Sequence, residues 1–173
     1  FVYVYPFKRK LPELKSIKNV SYKPYKYWIT SKGHNLLDKG LYQSIKINKF
    51  NLIKIFFLIV SQFFYTLYLT IKMKPDYIYA HWIFPQAFIA AIISKVTRTK
   101  FVFTSHGSDV TLLRKLSFLG KFILKFSISN AVKITVVSEK NQKKIDEFIN
   151  INKHKEKIKV IPMGVNNKFY EQL

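Results

Sequence analysis

PDYIYAHWIFPQAFIAAIISKVTRTKFVFTSHG (75–107) carries the fold in one segment. PDYIYA (75–80) is a short aromatic and β-branched run that reads as a strand, PQAFIAAIISKV (85–96) reads as a helix, and KFVFTS (100–105) reads as a second strand. Two strands joined through a helix of crossover length pair in parallel, because a tight hairpin can connect only antiparallel neighbours. The alternation continues downstream. VTLLRKLSFLGKFILKFSIS (110–129) is helical with a break expected near Gly120, AVKITVVS (131–138) is a strand, EKNQKKIDEFIN (139–150) a helix and KIKVIPM (157–163) a last strand. This order predicts an α/β fold: a doubly wound, Rossmann-like parallel sheet with helices on both faces.

Upstream the pattern is looser. FVYVY (1–5) reads as a buried first strand stopped at Pro6, a basic loop FKRKLPELKSIKN (7–19) follows, and Pro24 limits NVSYKPYKYWI (19–29) to an edge strand. Residues 31–49 read as loop with a turn or two of helix. NLIKIFFLIVSQFFYTLYLTIKM (51–73) reaches the roughly 20 residues that cross a bilayer. Lys54, Ser61, Gln62, Thr66 and Thr70 interrupt it, which favours a helix packed over a sheet or lying at a membrane surface. A bilayer span is the alternative.

The chain has 173 residues and 49% apolar content, enough for one domain with a real core. Its formal charge of +21 suggests nucleic acid or an anionic membrane surface. The 30 basic residues include only three arginines, Arg9, Arg98 and Arg114. Arginine is the side chain that grips phosphate and guanine edges bidentately, so its scarcity argues against nucleic acid; the lysine excess divides between the compositional drift of an AT-rich genome and a membrane-facing patch. There is no cysteine, hence no disulfide and no thiolate metal site. The chain opens at Phe1 inside a strand-like run, which implies a fragment at both ends.

In parallel α/β sheets, ligands bind beyond the carboxyl ends of the strands. Four polar turns fall there: His81-Trp82, His106-Gly107, Ser138-Glu139 and Met163-Gly164. An imidazole at 106 can donate to a developing anion, while Gly107 admits a ligand to the backbone ahead of a helix start. Ser108-Asp109 reads as the cap of a helix beginning at Val110; an acid there competes with phosphate and leaves a hydroxylated group, or only the edge of a phosphate, as the ligand. Alternatively His106 is a satisfied loop residue. Trp82 reads first as packing at the sheet end and second as a flat face for stacking on a sugar. Ser138 followed by Glu139 is first a helix cap and second a hydroxyl on the cleft floor. His34 and His154 read as solvent-exposed. Neither a Gly-rich phosphate cradle, nor HExxH, nor an Asp-x-Asp metal pair, nor G-x-S-x-G is present, which disfavours a self-contained nucleotide or metal enzyme.

PDYIYAHWIFPQAFIAA, KFVFTSHGSDV, AVKITVVSEKNQKKI and KIKVIPMGVNNKF, in that order, resemble the amino-terminal domain of glycosyltransferase family 4, retaining enzymes of the two-domain GT-B fold. The resemblance implies that residues 1–165 form the Rossmann-like acceptor-side domain and that 166–173 begin the linker to a donor domain absent from this chain. It implies a fragment inactive without that domain, in an enzyme that moves a sugar from a nucleotide-sugar to a lipid-linked or polysaccharide acceptor. The setting it implies is bacterial surface-glycan synthesis, such as lipopolysaccharide, in the cytoplasm at the inner face of the membrane. His106 matches the catalytic-cleft histidine of the family's HG motif, and His81, Trp82, Gly107, Ser108, Asp109, Ser138 and Glu139 are the expected substrate contacts. No metal and no cofactor are implied beyond the nucleotide-sugar as co-substrate. FKRKLPELK stands where many relatives have a Gly-rich turn, Met163 where they have Asn, and Asn166 where they have Asp.

Overall fold

The computed structural model describes residues 2–6, 19–29 and 48–164, and the chain folds as two units, Phe1–Met73 and Lys74–Leu173. In the first unit, strand β1 (Val2–Pro6) pairs in parallel with β2 (Ser21–Tyr25), with Tyr5 opposite Pro24. Helix α1 (Asn51–Met73) is 23 residues long. Advancing 100° per residue brings Leu58, Tyr65 and Leu69 to one face. Leu58 is buried with Tyr25 and Tyr27, against which Val4, Trp28, Ile55, Ile59 and Tyr65 also pack. Burial pushes the Tyr25 phenol up from its ordinary value, and neighbouring Tyr27 adds to the rise. The opposite face of α1 leaves Ile53, Phe56, Phe64 and Ile71 exposed. The basic loop 7–18, the segment 31–47 with His34, and the expected linker 166–173 lie outside the described residues.

The second unit contains β3 (Tyr77–His81), α2 (Phe88–Thr97), β4 (Lys100–Ser105), α3 (Ser108–Lys115), α4 (Ser117–Asn130), β5 (Lys133–Val136), α5 (Glu139–Ile149) and β6 (Ile158–Val160). The strands lie side by side in the order β3-β4-β5-β6, every pair parallel. A strand order that advances steadily through right-handed crossovers brings all the connecting helices to one face. The contacts agree: α2 and α5 both touch α4, and α3 touches α4 and α5. Alternation along the strands supplies the apolar face. Phe101, Phe103, Ile134 and Val136 are buried against Ile83, Val110, Leu113, Leu124, Ile128 and Ile145. Each such side chain contributes about 1.5–3 kcal/mol over its exposed state. The intervening residues, Tyr79, His81, Thr104 and Thr135, share the other face by the period of two.

The helical run 110–129 breaks four residues before the expected place. Leu116 and Ser117 form the corner, with Ser117 at φ 46°, and α4 restarts there. Gly120 is buried inside α4 against the Leu113 carbonyl, where a Cβ would overlap backbone. Its role is close approach of two helices, not interruption of one. The last two strands are shorter than their apolar runs, since β5 and β6 pair over only four and three residues.

Candidate functional site

The register that pairs Ala80 with Phe103 and Phe103 with Ile134 brings the strand ends to a common edge. The ladder continues past the strands: Trp82 N–H donates to the Thr104 carbonyl at 2.9 Å, Val137 N–H to Ser105 at 3.3 Å and Ile161 N–H to Val136 at 2.9 Å. The turns at 81, 106 and 138, and the exposed run 161–164, therefore leave the sheet at one end.

His81 and His106 meet there. Pairing of His81 with Thr104 places it diagonally beside the residue two positions on, and Nδ1 of His81 lies 3.3 Å from Nε2 of His106. The Tyr79 ring lies 4.5 Å from the His81 ring. Burial lowers the His81 pKa from its ordinary value, and a charge on His106 lowers it further. Two neutral imidazoles share a single N–H across such a contact, so their remaining nitrogens present one donor and one acceptor. That pattern suits a sugar hydroxyl, which both donates and accepts, better than a phosphate, which only accepts.

Beneath the histidines runs a hydroxyl row absent from the sequence reading. Tyr79 OH is 2.6 Å from the Thr104 hydroxyl, which also bonds Thr135. Alternating polar residues at 79, 104 and 135 were its only sequence signal.

Asp109 does not cap a helix starting at Val110. The helix starts at Ser108 with Gly107 at its N-cap, and Asp109 sits in the first turn, 2% exposed. Its Oδ1 accepts from Gly107 N–H at 2.8 Å and Ser105 Oγ at 3.0 Å, and its Oδ2 from Ile83 N–H at 3.1 Å. The carboxylate thus ties the turn after β3 to the turn after β4. It also occupies donors that would otherwise cradle an anion, and Val110 N–H adds one more at 3.0 Å. Asp109 is a positioning residue beneath the rim, out of reach of a ligand.

Gly107 has φ 88°, and a Cβ there would overlap the buried Asn141 side chain from α5. Ser108 is exposed at the rim. Ser138 caps α5 as expected, its hydroxyl accepting from Asn141 N–H at 3.3 Å, with Glu139 exposed in the first turn. Trp82 is not packed at the sheet end: it is 41% exposed, with φ 75°. Past it the chain makes a wide turn, Ile83–Ala87, closed by Ala87 N–H donating to the Trp82 carbonyl at 3.1 Å. Gln86 in that turn has a buried Oε1 without a hydrogen-bond partner among the described residues. His154, expected in solvent, is half-buried and lies 3.4 Å from the Ser129 hydroxyl, away from the rim. Among the described residues no three His, Cys, Asp or Glu side chains converge on a metal position.

Residues 27–169 match the family model of Glycosyltransferase Family 4. Among curated proteins, the chain is 31% identical over 93 residues to an uncharacterized glycosyltransferase of Methanocaldococcus jannaschii, covering 54% of this chain and 25% of that protein. It is 29% identical over 93 residues to TuaC of Bacillus subtilis, assigned by name to teichuronic acid biosynthesis as a glycosyltransferase, covering 54% of this chain and 23% of that one. The chain thus spans about a quarter of the length of these relatives.

Proposed function

The chain belongs to glycosyltransferase family 4, and from that premise we propose that residues 1–165 form the acceptor-side half of an enzyme moving a sugar from a nucleotide-sugar to a lipid-linked or polysaccharide acceptor, with retention of configuration. Residues 166–173 then lead towards the donor-binding half, without which this portion has no turnover. The observation that carries the reading is the contact between His81 and His106 at the common end of a parallel sheet.

Catalysis in this reading divides among the rim residues. His106 faces the transferring sugar and donates a hydrogen bond as charge builds on the leaving group; His81 holds its tautomer and contributes the complementary acceptor. Trp82 offers its exposed ring to a sugar face, Ser108 and Glu139 offer polar contacts at the edge, and Ser138 and Gly107 shape the floor. No metal or separate cofactor takes part; the nucleotide-sugar is a co-substrate held mainly by the other half. Surface-glycan synthesis is the supported setting, since one similar protein is named for a teichuronic acid pathway. A net charge of +21 carried mostly on lysine supports a peripheral position at the cytoplasmic face of an anionic membrane, without nucleic acid as a partner.

The test is His106→Ala in the full-length enzyme. Turnover with donor and acceptor should fall more than about tenfold with an unchanged melting temperature. Near-normal turnover refutes the role.

A second reading, a membrane-anchored protein with α1 crossing the bilayer, draws on that helix's 23 residues and uncovered apolar face. Against it, the other face of α1 is committed to Tyr25 and Tyr27. Carbonate extraction separates the two readings: a spanning helix resists release, whereas a peripheral protein is freed.

A further inference from the structure

We propose that the corner between α3 and α4 is the element that enters the surface of an anionic bilayer, an inference that rests on the membrane-surface reading above. The corner breaks a basic rule of burial. Phe118 is 83% exposed, and Leu119, Phe122 and Leu116 are exposed around it. Ser117, with φ 46°, makes the turn that produces this arrangement. Behind the corner, aromatic rings tie it to the core: Phe122 stacks on Phe126 at 5.9 Å and meets Phe88 at 6.4 Å, and both of those rings pack against the buried cluster.

Charge identifies the occupant. From Val110 to Ser138 the sequence contains no acidic residue, while Arg114, Lys115, Lys121 and Lys125 bracket the exposed side chains. Arg114 pairs with Glu147 from α5, and Lys121 and Lys125 add positive charge along α4. Apolar side chains flanked by lysine stems match the boundary between acyl chains and anionic headgroups, where the rings enter and the ammonium groups stay among phosphates. A second copy of this chain, equally basic, would be repelled from the same patch. On the uncovered face of α1 the lysines stand only at the ends, Lys54 and Lys72, and the exposed Phe56 and Phe64 lie in a stretch, 55–71, that contains none.

Geometry links the corner to the site. Helix α3 is eight residues long and starts at the rim beside His106, so the corner lies about 12 Å along the helix from that rim. Insertion there holds the reaction cleft near the headgroups, where the sugar of a lipid-linked acceptor is found.

The experiment compares full-length protein with two double variants, Phe118→Ser with Leu119→Ser, and Phe56→Ser with Phe64→Ser. Sedimentation with phosphatidylcholine vesicles, with and without phosphatidylglycerol, reads binding; circular dichroism reads folding. Wild-type protein should bind only the anionic vesicles, and less as salt rises. The corner variant should bind about tenfold or more weakly, keep its fold, and keep full turnover on a water-soluble acceptor. The α1 variant should bind within about twofold of wild type. Undiminished vesicle binding by the corner variant, larger losses in the α1 variant, or wild-type dimers that the corner variant dissolves would each overturn the inference. Turnover on the soluble acceptor separates this outcome from failure of the transferase reading, because the corner touches no reacting group.

Discussion

Replacing Asp109 by asparagine changes one oxygen for an amide group in a space already filled, so charge and hydrogen bonding are altered with almost no change of volume. Both carboxylate oxygens face donors: Gly107 N–H and the Ser105 hydroxyl on one side, Ile83 N–H and, at 3.4 Å, His106 N–H on the other. Whichever way the asparagine turns, its NH2 confronts a backbone N–H that cannot reverse its role. The less costly orientation keeps the Gly107 and Ser105 bonds and leaves Ile83 N–H, in a fully buried residue, without an acceptor. One orphaned buried donor plus the lost charge assistance costs about 2–4 kcal/mol. For a unit of this size that lowers the melting temperature by about 10–25 °C. Thermal unfolding of the full-length protein, followed by circular dichroism, reads the change. Because the lost bond ties the turn after β3 to the turn after β4, turnover measured well below the new midpoint should fall as well. A midpoint within about 3 °C of wild type would refute the claim that this carboxylate holds the rim together.

Gly107→Ala places a Cβ on the Asn141 side chain at a positive φ, and should cost about 2–4 kcal/mol; adding Asn141→Ala should recover part of it in denaturant titrations. Gly120→Ala drives a methyl into the Leu113 carbonyl, which cannot rotate away. It should destabilise by about 2 kcal/mol even though alanine is the better helix former by about 1 kcal/mol, and a gain in stability would overturn the close-approach account. His81 has a lowered pKa, from burial first and His106 second, so the unfolded chain takes up a proton that the folded one resists. The stability held by neutral His81 is fully present above the ordinary imidazole range and is lost as pH falls through it. His81→Gln should therefore flatten the fall in melting temperature between about pH 7.5 and 5. An unchanged slope would count against the His81 assignment.

Element types in the second unit were legible because they are local properties. A run such as KFVFTS prefers an extended chain and presents alternate apolar side chains, EKNQKKIDEFIN prefers a helix with Ser138 as its cap, and regular alternation of strands with helices of crossover length favours parallel pairing. From that pairing follows the common rim, which is why histidines 25 residues apart could be singled out together. What stayed hidden depended on partners distant in sequence. Asp109 read as a cap because a short acid near a helix start usually is one; Ile83, 26 residues upstream, supplies a competing donor that only the fold brings near. The helix break moved from Gly120 to Leu116 because glycine marks both interruption and close packing, and the Leu113 carbonyl decides between them. Trp82 read as packing from its type alone, whereas the wide turn through Ala87 leaves it exposed at the rim. Local chain preference is encoded residue by residue; which donor meets which acceptor is set by strand register and helix crossing, and these exist only once the chain has closed on itself.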